Sequence, residues 1–116
     1  MTAYDLANKW QLQYGEEPLQ ERIDWHKDFG LVFITKKLFI LATEVYYNTK
    51  EEDLDMFTLH PNAWFIELAA SSDKMTPIRE IMRVLPTKRE WVLWCRDGIN
   101  KLHSYNWDKL ARKVGL

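Results

Sequence analysis

Several things are scarce or missing in these 116 residues, and each absence removes a class of function. There is one cysteine, Cys95, so no disulfide can close within the chain, as expected for a protein of a reducing compartment. The three histidines, His26, His60 and His103, stand apart without carboxylates at ligand spacing, and no metal site is expected. The four glycines are scattered, and neither a glycine-rich phosphate loop nor a nucleophile elbow occurs. No apolar run approaches the roughly 20 residues of a membrane-spanning helix. Met1 to Asp5 carries neither the basic nor the apolar region of a signal peptide. The expectation is a soluble, cytoplasmic protein with no membrane partner and no complete catalytic motif.

What is present argues for a folded globule. The chain is 47% apolar and 14% aromatic, and its length suits one domain, residues 1–116. Six tryptophans are many for this size; the core accounts for most of them, leaving one or two for a contact surface. The net charge of −1 conceals a polarity. Residues 1–73 carry six Lys/Arg against thirteen Asp/Glu, and residues 74–116 carry ten against four. The two halves either neutralise each other or form one acidic and one basic face, suited to head-to-tail assembly or a charged partner.

Hydrophobic spacing locates the elements. Ala3, Leu6, Ala7, Trp10 and Tyr14 predict an amphipathic helix over 3–14, opened by Thr2 and Asp5 and stopped at Gly15. Glu16 to Asp28, with Pro18, reads as a loop containing a helical turn. Leu31–Ile34 and Leu38–Tyr47 read as a hairpin around Thr35-Lys36-Lys37, with Phe39, Leu41, Thr43, Val45 and Tyr47 on one face and Glu44 on the other. Asn48 to Asp55 is an acidic connector, and Ala63–Ala69 a strand containing Glu67, which is expected to face solvent. Thr76-Pro77 starts a helix whose stripe is Ile78, Ile81, Met82 and Leu85. Glu90–Cys95 is a strand in which Cys95 reads as a small buried hydrophobe. Trp107, Leu110, Ala111 and Val114 mark a last helix closed by Gly115. Strand, helix and strand over 63–95 predict a parallel βαβ unit, hence a small mixed sheet with flanking helices in the α+β class.

Few side chains suggest chemistry. Ser71, Ser72, Lys74, Thr76 and Arg79 surround a helix start and are the candidates for phosphate or cofactor binding. Against that, the loop has no glycine and Asp73 would repel an anion. Basic and aromatic residues mix over 74–116, but the aromatics fall on core faces, so nucleic acid is not the expected partner. Trp25, Trp64, Trp107, Arg79, Arg83 and Arg112 are the candidates for contact with a protein partner.

The closing stretch, Ser104-Tyr105-Asn106-Trp107-Asp108-Lys109-Leu110-Ala111-Arg112-Lys113-Val114-Gly115-Leu116, resembles the last helix of GNAT-fold acetyltransferases. The order of elements over 29–116 is similar to that fold as well. The resemblance implies an acyl-CoA-dependent N-acetyltransferase scaffold, but three of its working parts do not match. The Ser71–Thr76 loop has none of the glycines that bind the cofactor's pyrophosphate. Ala111 stands where a general-acid tyrosine is frequent and has no proton to give. The chain stops at Leu116, without a final β-hairpin. Glu44 and Glu67 remain as possible bases. The chain also resembles, over Trp91 to Gly98 and His103 to Trp107, small head-assembly proteins of P22-like tailed phages. That resemblance implies a non-enzymatic virion-assembly factor in the host cytoplasm, needing no cofactor and contacting phage structural or ejection proteins. Acetyl-CoA enters only under the acetyltransferase alternative.

Overall fold

The computed structural model describes residues 1–75, 77–96 and 101–116. The chain enters through helix α1 (Ala3–Tyr14). Asp5 N donates to Thr2 Oγ1 at 3.1 Å and Thr2 N to Asp5 Oδ2 at 3.0 Å, a reciprocal capping box that satisfies two otherwise orphan amides. A second helix, α2 (Leu19–Phe29), replaces the loop expected there. Its buried stripe is Leu19, Ile23 and His26, and Pro18 lies just before the first turn, where a missing N–H is harmless.

The expected hairpin forms as β1 (Leu31–Ile34) and β2 (Leu38–Asn48), closed by Thr35 N donating to Leu38 O at 2.7 Å. The acidic connector contributes a short strand, β3 (Asp53–Asp55), paired with the end of β2. Next come β4 (Ala63–Ser71), α3 (Ile78–Val84) and β5 (Trp91–Arg96), and β4 and β5 are parallel as the βαβ reading requires. A strand absent from the sequence reading, β6 (Lys101–Asn106), pairs antiparallel with β5 and precedes α4 (Trp107–Lys113). Asn106 caps α4 by accepting from Lys109 N at 3.2 Å, and Gly115 closes it at φ +80°. Thr76, expected as the cap of α3, lies outside the described residues.

The result is an α+β fold on a mixed sheet of order β1-β2-β4-β5-β6, with β3 attached to β2. Alternation along β2 sorts the helices to opposite faces. Ile40 and Ala42 pack with Ile81, Met82 and Leu85 at α3 and with Leu110 of α4. Phe39 and Leu41 pack with Ala3 and Ala7 of α1 and with Leu19 and Ile23 of α2. Val45 and Tyr47, on that second face, join Ala63 and Leu93 in a cluster roofed by Leu54 and Met56.

One irregularity positions the site. Leu41 pairs with Leu68 and Ala42 with Ile66, so Glu67 is an extra residue in β4, without a partner on β2. Such a bulge breaks the alternation. Ile66 faces α3 and α4, Leu68 faces α1 and α2, and the carboxyl of Glu67 reaches α2 on that same second face.

Candidate functional site

Glu67, Phe65 and Cys95 form the floor of a groove of about 560 Å³. Trp10, Gln11 and Tyr14 of α1, the loop residues Gly15, Glu16 and Glu17, and Arg22 of α2 complete it. Its floor opens where β4 and β5 part: the strands pair from Ala63 and Trp91 only as far as Ile66 and Trp94. Trp10 and Tyr14 stand with ring centroids 5.1 Å apart and make an aromatic wall.

A short chain of polar contacts holds the floor to the helices. Arg22 Nη1 donates to Gln11 Oε1 at 2.5 Å and Nη2 to the Glu67 carbonyl at 3.2 Å. Gln11 Nε2 donates in turn to the Glu17 carbonyl at 2.8 Å. The Glu67 carboxyl meets His26 Nε2 directly. Glu67 is therefore not the solvent-facing strand residue that the sequence suggested: its side chain is 16% exposed and that of His26 only 3%.

Geometry fixes one proton of this pair. His26 Nδ1 lies 2.6 Å from the Arg22 carbonyl, which only accepts, so Nδ1 carries a hydrogen. Nε2 and the Glu67 carboxyl then share one proton. Burial pushes the Glu67 carboxyl up from its ordinary value of 4.5 to about 7, while Arg22 opposes the rise. Burial also pulls His26 below its ordinary 6.5. Below about pH 7 both directions favour one state, in which a neutral carboxyl donates to a neutral imidazole. Cys95, expected to be buried, is half-buried at the groove, and its thiol is raised first by burial and then by the charge of Glu67. A raised thiol is a poor nucleophile near neutral pH.

The residues singled out in the sequence scatter. Ser71 N donates to Lys74 O at 2.7 Å, Lys74 N to Ser71 O at 3.1 Å, and Ser72 N to Lys37 O at 2.9 Å. Those three amides already have backbone acceptors, so this tight turn offers none of them to a phosphate. Thr76 is outside the described residues, and Arg79 is exposed on α3. Trp64 has to be removed from the contact candidates: it is 3% exposed, with Nε1 donating to the Thr87 carbonyl at 2.7 Å. Trp25 is half-buried against Phe29, and Trp107 is half-buried beside a 350 Å³ cleft that also involves Lys88, Arg89 and Asn62. Glu44, the other possible base, is paired with Arg89. Among the described residues, no three His, Cys, Asp or Glu side chains gather in a way that could hold a metal ion.

The charge polarity does become two faces. Asp5, Glu16, Glu17, Glu21, Asp24 and Asp28 are exposed in the α1–α2 layer, against Lys9 and Lys27. Arg79, Arg83, Lys109, Arg112 and Lys113 are exposed on α3 and α4 across the sheet, against Asp108. The groove opens on the acidic side. Sequence reasoning missed Glu67, His26 and Arg22 as a group because their meeting depends on α2 and on how it packs over β4; the only local signal was a histidine on the apolar stripe of that helix. No protein-family model, curated protein or solved structure matches this chain.

Proposed function

We propose that this protein is a non-enzymatic binding and assembly factor that joins oppositely charged partners through its two helical faces. The observation that carries the reading is the separation of charge by the sheet, with the acidic α1–α2 layer on one side and the basic residues of α3 and α4 on the other. Opposed charged surfaces raise encounter rates and fix orientation more than they raise raw affinity. The setting implied by the sequence resemblance is virion assembly in a tailed phage, with structural or ejection proteins as partners. Two experiments test this. The protein captured from infected cells should bring down virion proteins, and Arg79→Glu with Arg83→Glu should abolish that capture. A phage deleted for the gene should give fewer complete heads; a normal particle yield overturns the reading.

A second reading, acyl-CoA-dependent N-acyl transfer, is favoured by the parting of β4 and β5 and by Glu67 in the groove beside it. The occupied amides of Ser71, Ser72 and Lys74 weigh against it, since they remove the donors a pyrophosphate would need. Calorimetry with millimolar acetyl-CoA decides. Binding heat supports transfer, and its absence removes this reading without touching the first.

A further inference from the structure

The sheet ends in two very different edge strands. An edge exposes unpaired N–H and C=O groups and invites another strand, and soluble proteins guard against this with charged or polar residues. β6 is guarded: its sequence is Lys-Leu-His-Ser-Tyr-Asn. β1 is not: it reads Leu-Val-Phe-Ile, with no charge, no proline and no bulge, and among the described residues its only strand partner is β2. Ile34 is 41% exposed at its end, and Phe29 is 63% exposed just before it.

The register shows which groups are free. Hydrogen-bonded and non-bonded pairs alternate along an antiparallel ladder. Thr35 N bonds Leu38 O, so the pairs Phe33 with Ile40 and Leu31 with Ala42 are the bonded ones. The N–H and C=O of Val32 and Ile34 therefore point away from β2, toward the open side.

From this we infer that two copies of this chain join edge to edge through β1, as a twofold dimer whose sheets become one continuous sheet. In an antiparallel twofold pairing, Val32 of each copy lies opposite Ile34 of the other, and the two Phe33 residues meet on the axis. Each Val32–Ile34 pair exchanges both of its bonds, so every outward backbone group of the strand finds a partner. The contact also buries Ile34 against Val32 on the α1–α2 face and brings the two half-buried Phe33 rings together on the other. A twofold contact must be self-complementary, and this one is so in backbone and packing. It uses neither of the charged helical faces, so it stands or falls apart from the function proposed above.

Sedimentation of the full chain across about 2 to 200 µM tests it, a range that brackets the affinity of a small interface. The wild type should shift from monomer to dimer across that range and keep the dimer in 1 M NaCl. Ile34→Lys, which places a guarding charge on an already exposed position, should leave only monomer at the highest concentration, with an unchanged circular dichroism spectrum. Val32→Pro removes one outward donor and should do the same; should it fail to fold, Ile34→Lys alone decides. Arg79→Glu with Arg83→Glu should dimerise like the wild type. A wild type that stays monomeric throughout, a dimer that survives Ile34→Lys, or one that dissolves in salt or under the Arg79/Arg83 reversal overturns the inference.

Discussion

Replacing Glu67 by glutamine should change how stability depends on pH far more than it changes the fold. The glutamine amide donates to His26 Nε2 just as the protonated carboxyl does, so the contact with α2 survives and only the titration is lost. The sign follows from the two directions. The folded value for Glu67 is raised from 4.5 to about 7, so its stabilising contribution is complete below pH 4.5 and lost as pH rises through about 7. His26 is shifted the opposite way, so its contribution is present above pH 6.5 and lost as pH falls below that. Below pH 6.5 the two slopes oppose each other in the wild type, because the folded state holds its extra proton on the carboxyl and the unfolded chain holds its extra proton on the imidazole. From 6.5 to about 7 the folded pair holds more, and stability falls. In Glu67→Gln only the histidine slope remains. The gap between variant and wild type should therefore grow in the variant's favour by about 3 kcal/mol between pH 4.5 and 8, from a shift of about 2.5 units at 1.36 kcal/mol each. Urea unfolding of both proteins at pH 4.5, 6 and 8 measures it. A gap that stays constant across those three pH values would refute the shared proton.

Three further outcomes follow from the same contacts. Arg22→Met strips the donors from Gln11 Oε1 and the Glu67 carbonyl, and denaturant unfolding should show a loss of about 2–3 kcal/mol; a loss under 0.5 kcal/mol would mean that the clamp holds nothing. Thr43 is 2% exposed, and its hydroxyl has no hydrogen-bond partner among the described residues, so Thr43→Val should raise stability by about 1 kcal/mol in the same assay. Cys95 should react with a small thiol reagent at pH 8 several-fold more slowly than free cysteine, and Glu67→Gln should speed it by removing the nearby charge; a rate equal to that of free cysteine would contradict its raised thiol.

The parts of the fold legible in the sequence are those that local pattern decides. Thr2 and Asp5 announced the first helix, and the capping box they form is complete. The β1–β2 hairpin, the parallel pairing of β4 with β5, the stripes of α3 and α4, and the turn at Gly115 all follow from spacing and turn chemistry. α2 was hidden because one of its three buried positions is a histidine, which a hydropathy count treats as polar, and because Pro18 looks like a breaker when it stands at a helix start. β6 was hidden for the reason that keeps it safe: a guarded edge strand is polar, and polar residues do not read as a strand. Trp64 looked like an interface residue because tryptophan serves interfaces and cores alike, and only packing distinguishes them.

The site itself was the least legible part, and the reason is geometric. Glu67 and Leu68 both turn toward α1 and α2 because β4 carries one more residue than β2 across Leu41 and Ala42, and that count belongs to the pairing of two strands, not to either one. In regular alternation only one of the neighbours Glu67 and Leu68 could face α1 and α2; the bulge lets both do so, while Ile66 stays on the α3–α4 face. The bulge thus serves packing and site together: it lets Leu68 and Ala70 turn to α1 and α2 while placing the carboxyl between Arg22 and His26. Glu67→Leu should separate the two roles. It keeps an apolar residue at the bulge but leaves His26 Nε2 without its partner, so it should lose about 1–2 kcal/mol where Glu67→Gln loses almost none. Equal losses from the two variants would mean that the bulge is there for packing alone, and that the proton it holds is incidental to the fold.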